Sequence, residues 1–156
     1  MASPSFKLLP GTRVLVASRD RVFTQGLQES LRARGAQVHS WDGARAWSAD
    51  KPQLERVDVL LIEAHGLGEA EWALVDRVRD RSPLIEIVAI SSDPLVESAV
   101  QALRSGLYTL LAYPVSDDQL AEVIAEASDR KRRSEERIEA LKVRASGNPK
   151  GSGICR

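Results

Sequence analysis

An apolar run that ends in a carboxylate is the first feature of this sequence that could support chemistry. Residues 57–63 read VDVLLIE, so Glu63 directly follows four large apolar residues. Such a run is typical of a strand buried on both faces of a parallel sheet. Ligands and reacting groups collect just outside the carboxyl ends of such strands. We therefore predict that Glu63 lies at the functional edge of a parallel sheet.

Other polar side chains follow other apolar runs. Ser18, Arg19 and Asp20 come after RVLVA, Ser91 ends the run IVAIS, and Tyr113 follows TLLA. The carboxyl ends of parallel strands share one edge of the sheet, so these residues are candidates for one common site with Glu63.

The elements that would position these residues alternate along the chain. The predicted strands cover residues 12–16, 36–41, 57–63, 85–91 and 107–112. Five predicted helices follow them, recognised by apolar spacing and by residues that begin or end helices. They are marked by Phe23, Leu27 and Leu31; by Asp42, Ala46 and Trp47; by Trp72, Val75 and Val78; by Val96, Val100 and Leu103; and by Leu120, Val123, Ile124 and Ala127. This alternation predicts an α/β fold with right-handed crossovers.

The chain of 156 residues is long enough for one domain and a tail. We predict an N-terminal arm over residues 1–11, a domain over 12–128, a basic helical extension over 129–145 and a disordered tail over 146–156. The sequence contains neither a membrane-length apolar run nor a signal peptide, and its single cysteine is Cys155. We therefore expect a cytoplasmic protein without a disulfide framework or thiolate metal site.

The charges are distributed unevenly. From Ser128 onward the chain has nine basic and four acidic residues, against 13 and 18 before it. The basic cluster RKRR at residues 130–133 is a candidate for nucleic acid contact, but an acidic body without a recognition helix favours a solvated helix face. We therefore expect no nucleic acid partner. Ile138 and Leu141 resume an apolar stripe, so the extension is either solvated or a weak pairing helix.

Four stretches give the chain a family resemblance. RVLVASRD, VDVLLIE, IVAISS and ALRSGLYTLLAYP are similar to the motifs of response regulator receiver domains in two-component signalling. The resemblance covers Arg13 to Ala127. It implies a flavodoxin-like, doubly wound five-stranded parallel sheet of order 2-1-3-4-5, here with an extended C-terminal helix, and a bacterial signalling role.

The resemblance also assigns roles to the candidate site. Glu63 stands where a receiver has its phosphoacceptor aspartate. Ser18 and Arg19 stand where a receiver has the acidic pair that holds Mg²⁺. The nearest acidic residue, Asp20, lies one position after that pair. Ser91 keeps the hydroxyl of the fourth strand.

The fifth strand departs from the family as well. Tyr113 replaces the lysine before Pro114, and Leu110 replaces the aromatic switch residue. We expect a cis bond between Tyr113 and Pro114, as in receivers.

These departures argue against phosphorylation. Phosphoryl transfer depends on positioning and on positive charge, and Mg²⁺ needs oxygen ligands. Arg19 opposes a metal, Glu63 is one methylene longer than aspartate, and Tyr113 supplies no cation. We predict neither phosphorylation of Glu63 nor Mg²⁺ binding, and no other cofactor. Glu63 either pairs with Arg19 or meets only water, and it is either a phosphate mimic or the remnant of an inactive site.

The preferred interpretation is a pseudo-receiver that acts as a protein-interaction adaptor and not as an enzyme. The resemblance implies a partner surface on the fourth helix, fifth strand and fifth helix, near Val96, Leu107, Tyr108 and Gln119. A homodimer could form through that face or through the C-terminal helix; we expect no membrane partner. Since no output domain follows, we favour an adaptor over a transcription factor. The alternatives are a working phosphoacceptor in a phosphorelay and a sensor of a small ligand.

Overall fold

The computed structural model describes residues 11–18, 20–41, 54–64, 68–92, 100–102 and 104–152, with the side chains of Trp41, Glu55 and residues 147–152 left out. The strands are β1 (Arg13–Ala17), β2 (Gln37–Trp41), β3 (Val59–Ala64), β4 (Glu86–Ser91) and β5 (Thr109–Ala112). The helices are α1 (Arg21–Ala33), α2 (Glu69–Arg81) and α3 (Asp117–Ser152), with a 3₁₀ turn at Leu54–Arg56. The predicted helix at Asp42 and most of the one around Val96 lie outside these ranges.

The strands form one parallel sheet of order β2-β1-β3-β4-β5. This order confirms the predicted flavodoxin-like architecture. All six residues of β4 are buried, as expected for a strand covered on both faces. The alternation of side chains along each strand supplies apolar residues to two separate core layers.

The two core layers lie on opposite faces of the sheet. On one face, α1 and α3 pack their apolar residues, such as Leu31 and Ile124, against Val16, Leu61 and Ile90. On the other face, Val75 and Val78 of α2 pack against the alternate residues of the strands. Gly35 ends α1 with a φ of 104°, a conformation that residues with a Cβ rarely adopt.

The last helix is longer than predicted. α3 runs from Asp117 to Ser152, whereas we predicted a helical extension that ends at Ala145 and a disordered tail from Ser146. None of the helices in the described part of the chain has the combination of length and apolar character that a membrane span requires.

Candidate functional site

Glu63 lies at the carboxyl end of β3, in register with Ile90 of β4. Its half-buried carboxylate accepts a hydrogen bond from the Ser18 hydroxyl, with 2.5 Å between Ser18 Oγ and Glu63 Oε1. The Tyr113 side chain lies close enough to this carboxylate for the Glu63 charge to raise the pKa of Tyr113. Both hydroxyls are uncharged, so these described neighbours bring no positive charge to the Glu63 carboxylate. Arg19, the partner that we considered from the sequence, lies outside the described residues.

Ser18 connects Glu63 to the start of α1. Its oxygen also accepts the backbone N–H of Asp20, at 2.9 Å. The Asp20 carboxylate in turn caps the helix, since its Oδ1 accepts the N–H groups of Val22 and Phe23 at 3.0 and 3.1 Å. Asp20 therefore caps α1 through its Oδ1 atom.

Tyr113 is held in place by its ring and its backbone. The ring packs edge-on against Phe23, with 5.8 Å between ring centroids and 82° between planes. The Tyr113 N–H donates to the Ser91 carbonyl at 3.1 Å, and the Tyr113–Pro114 bond is cis, as predicted. Burial, the charges of Glu63 and Asp20, and the hydrogen bond to Glu63 raise the pKa of Tyr113. The phenol therefore stays protonated and acts as a donor at neutral pH.

Ser91 and Leu110 complete the positions predicted from the family resemblance. Ser91 ends β4 at the same edge as Glu63 and is buried, with 1% of its surface exposed. Leu110 packs partly buried against the α2 side of the sheet, whereas Tyr113 packs on the opposite side. The two residues of the fifth-strand region therefore belong to different core layers.

Mg²⁺ is the metal that the family resemblance implies for this edge of the sheet. A hard cation of this kind requires several oxygen ligands in octahedral geometry. Asp20 Oδ1 accepts two backbone N–H groups, and Glu63 Oε1 accepts the Ser18 hydroxyl. Within the described ranges, no group of three or more His, Cys, Asp or Glu side chains lies close enough together to hold a metal.

The predicted interaction face is only partly accessible. Leu107 is buried, with 6% of its surface exposed, because it packs under α2 with the second core layer. The prediction that Leu107 contributes to a surface is therefore wrong. Tyr108 is half-buried and its hydroxyl donates to Glu126, whereas Gln119 is exposed. Val96 lies outside the described residues.

A second polar cluster, not predicted from the sequence, lies at the opposite edge of the sheet. We call it the amino-edge cluster; it consists of Arg13, Asp58, Glu86, Arg130 and Lys131. The Asp58 carboxylate accepts the backbone N–H of Arg13 at 2.9 Å and its guanidinium at 3.1 Å. Lys131 Nζ lies 3.4 Å from Asp58, and Arg130 lies 3.4 Å from Glu86.

Lys131 corrects the interpretation of the RKRR segment. We predicted a solvated helix face over residues 130–133, yet the Lys131 side chain is only 3% exposed and also pairs with Glu135 at 2.6 Å. The ring of Tyr108 lies 5.8 Å from the Arg130 guanidinium. Arg132 and Arg133 are exposed, as predicted. Half of this segment therefore anchors α3 to the body of the protein.

The charges of the amino-edge cluster change the pKa of its carboxyl groups. Burial alone would raise the pKa of Asp58, but the hydrogen bonds from Arg13 and the charges of Arg13 and Lys131 outweigh it and lower that pKa. Burial raises the pKa of Glu86 in spite of the nearby charges of Arg130 and Arg79.

Known structures resemble this chain, although no family model and no curated protein matches its sequence. A response regulator receiver domain protein from Clostridium thermocellum superposes with a TM-score of 0.69 at 16% identity, over 78% of this chain and 97% of that one. A CheY-like receiver domain protein from Methanospirillum hungatei gives a TM-score of 0.67 at 18% identity, over 83% and 99%. A structure described as adenylate cyclase from Rhodopirellula baltica gives 0.72 at 17% identity, over 85% and 98%. The chain therefore has the fold of response regulator receiver domains.

Proposed function

We propose that this chain is a signalling module of receiver fold that works through protein contacts and is not phosphorylated at Glu63. The observation that carries the proposal is the hydrogen bond from the neutral Ser18 hydroxyl to the Glu63 carboxylate, at 2.5 Å, with the phenol of Tyr113 beside the same carboxylate. Phosphoryl transfer needs positive charge against the phosphoryl oxygens. Neutral hydroxyls satisfy the carboxylate without supplying that charge.

The surrounding residues support the same conclusion. Asp20 is the acidic residue nearest in sequence to the expected metal position, and its carboxylate caps α1. Tyr113 stands at the position of the family's lysine, and its raised pKa keeps it uncharged. The pocket therefore surrounds the Glu63 carboxylate with uncharged hydroxyls, an arrangement that favours a structural role over phosphoryl transfer.

We infer an adaptor without enzymatic activity, with protein partners and a cytoplasmic location, as the setting for this module. The support is the receiver-like fold together with the altered residues at its edge. Tyr108 and Gln119 remain the described residues of the predicted partner face that retain exposed surface.

Incubation with acetyl phosphate and Mg²⁺, followed by intact mass measurement, tests the proposal. A receiver with the usual aspartate and lysine is treated in parallel as the positive control. We expect the control to gain one phosphoryl group and this chain to gain none. A stoichiometric gain that disappears in Glu63→Gln would establish the phosphoacceptor alternative instead.

A further inference from the structure

The buried stripe of α3 continues along the helix after the helix leaves the body of the protein. Its positions alternate in steps of four and three residues, the spacing of a coiled-coil seam. The first half of the stripe is buried and consists of Leu120, Ile124, Ala127 and Lys131. The second half, at the same spacing, consists of Ser134, Ile138, Leu141 and Ala145.

The second half of the stripe is exposed. Ile138 is 39% exposed and Leu141 is 56% exposed, and every residue from Glu135 to Ser146 is exposed to solvent. This segment spans about 18 Å at the rise of an α-helix. Its backbone continues α3, whose Lys131 is fixed against Asp58. The exposed stripe is therefore presented on a preformed helix, so a partner pays little of the cost of ordering this segment.

Basic residues flank the exposed stripe on both sides. At 100° per residue, Arg137 and Arg144 border it on one side and Lys142 on the other. The acidic residue on the Lys142 side is Glu135, which already pairs with Lys131 at 2.6 Å. Val143 lies on the opposite side of the helix, although it is 63% exposed. The stripe is therefore apolar along its centre and positive along its borders.

These borders oppose pairing with a second copy of the chain. In a parallel pair, Arg137 of one copy faces Lys142 of the other. In an antiparallel pair centred between Ile138 and Leu141, Arg137 faces Arg144 on one border, and Glu135, which already pairs with Lys131, faces Lys142 on the other. Like charges disfavour the parallel pair and one border of the antiparallel pair, so an acidic partner, which opposes no cation with a cation, matches the three border cations better than a second copy does.

We propose that the surface formed by Ile138, Leu141, Arg137, Lys142 and Arg144 docks an acidic amphipathic helix of another protein. Such a helix would bury its apolar residues against Ile138 and Leu141 and place carboxylates against the three cations. The inference names a partner chemistry for the protein-contact role proposed above and rests on it. The narrow stripe has two large aliphatic residues and no aromatic residue, which favours a helix over a lipid surface.

Two designed peptides test the docking surface on the full-length chain. Each has three heptads with Ile and Leu in the seam; one has Glu and the other Lys at all flanking positions. Fluorescence anisotropy at low salt measures binding of each labelled peptide. We expect the Glu peptide to bind and to weaken with added salt, and the Lys peptide to bind at least about tenfold more weakly.

Substitutions on α3 test whether peptide binding depends on the exposed stripe and its flanking cations or on any exposed position of the helix. Leu141→Asp is expected to lower the affinity for the Glu peptide at least about tenfold, whereas Val143→Asp, the matched control on the opposite side, leaves it unchanged. The double variant Arg137→Glu, Arg144→Glu is expected to prefer the Lys peptide. Circular dichroism of each variant confirms that the helix remains folded.

Several results would overturn the inference. They are equal binding of both peptides, absence of binding, or an equal effect of Leu141→Asp and Val143→Asp. Sedimentation that shows a dimer lost in Leu141→Asp would assign the stripe to a second copy. Binding to phosphatidylserine vesicles without binding to the Glu peptide would assign it to a membrane surface. Because none of these results reports on phosphate at Glu63, they are distinguishable from failure of the proposed function.

Discussion

The two ends of β3 carry carboxylates in opposite environments. At the carboxyl end, Glu63 accepts a hydrogen bond from the neutral Ser18 hydroxyl and lies near the neutral phenol of Tyr113. At the amino end, Asp58 just precedes the strand and is held by the cations of Arg13 and Lys131. Two carboxylates only five positions apart in the sequence therefore differ in their partners, since Glu63 has a neutral donor and Asp58 has two cations.

The two edges of the sheet therefore differ in the charge that they place near the carboxylates. Cations at the carboxyl edge of such a sheet would favour an incoming phosphoryl group. In this protein the described cations nearest the strand ends lie at the amino edge, where Lys131 and Arg130 attach α3 to Asp58 and Glu86. Charge at the amino edge thus fixes the exposed helix against the sheet, whereas at the carboxyl edge the Ser18 hydroxyl donates to Glu63.

Removal of the buried cation should have the largest effect on stability. Lys131→Met keeps an apolar stem but leaves Asp58 with Arg13 alone, so we expect a loss of about 3 kcal/mol in the free energy of unfolding. Urea denaturation at neutral pH measures it. Arg132→Met is the control, because that side chain is 44% exposed and pairs with the equally accessible Asp129; we expect a change within about 0.5 kcal/mol. Equal effects of the two variants would show that the buried Lys131 charge contributes no more to the free energy of unfolding than the exposed Arg132 charge.

Asp58→Asn should make stability less sensitive to acid. Since the folded-state pKa of Asp58 lies below its ordinary value of 3.8, its contribution is complete above that pH and is lost as pH falls through the folded pKa. We expect the variant to be about 2 kcal/mol less stable at neutral pH. The unfolding free energies of variant and native protein should converge as the pH falls through the folded-state pKa of Asp58.

Glu86→Gln provides the contrast to Asp58→Asn. Because burial raises the pKa of Glu86, its contribution to stability increases as pH falls through the raised pKa toward 4.5. The Gln variant should lack that increase. If both variants changed the pH profile in the same direction, the assignment of charges in the amino-edge cluster would be wrong.

Tyr113→Phe should have the smallest effect, about 1 kcal/mol at neutral pH, because it removes one hydrogen bond to a half-buried carboxylate. The raised pKa of Tyr113 means that its contribution is complete below pH 10 and is lost as pH rises through the folded pKa. The Phe variant should therefore lose less stability than the native protein above pH 10. Ser18→Ala removes the hydroxyl that donates to Glu63 but keeps Tyr113, so its free energy of unfolding should still fall at alkaline pH. If the free energy of unfolding of the native protein did not change above pH 10, the interaction between Tyr113 and Glu63 would be contradicted.

The strands were predictable because their apolar runs are local. The prediction for β4 began at Ile85 and the observed strand is Glu86–Ser91, and β3 was likewise recognised from VDVLLIE. The errors concern tertiary placement. Leu107 was assigned to a surface because its segment was matched to a family face, but it packs into the core.

Lys131 could have been found from a local signal. It follows Ala127 by four residues and so continues the buried stripe of Leu120, Ile124 and Ala127. We interpreted the charged segment as the end of that stripe because a lysine is rarely buried. The spacing of Lys131 from the buried residues indicated burial, whereas its residue type did not. The cap formed by Asp20 could also have been recognised, since Asp before a helix commonly has this role.

By itself the sequence determined the α/β alternation and the placement of Glu63 at a strand end, because periodicity and strand length follow from local composition. The order of the sheet was predicted from the family resemblance. It also determined that lysine and the usual acidic pair are missing from the positions that the resemblance implies. Only the tertiary structure decided the partners of the two carboxylates. Ser18 and Glu63 are 45 residues apart, and Asp58 and Lys131 are 73 apart. Hydrogen bonds and ion pairs depend on distances of a few ångströms, which the packing of strands and helices sets.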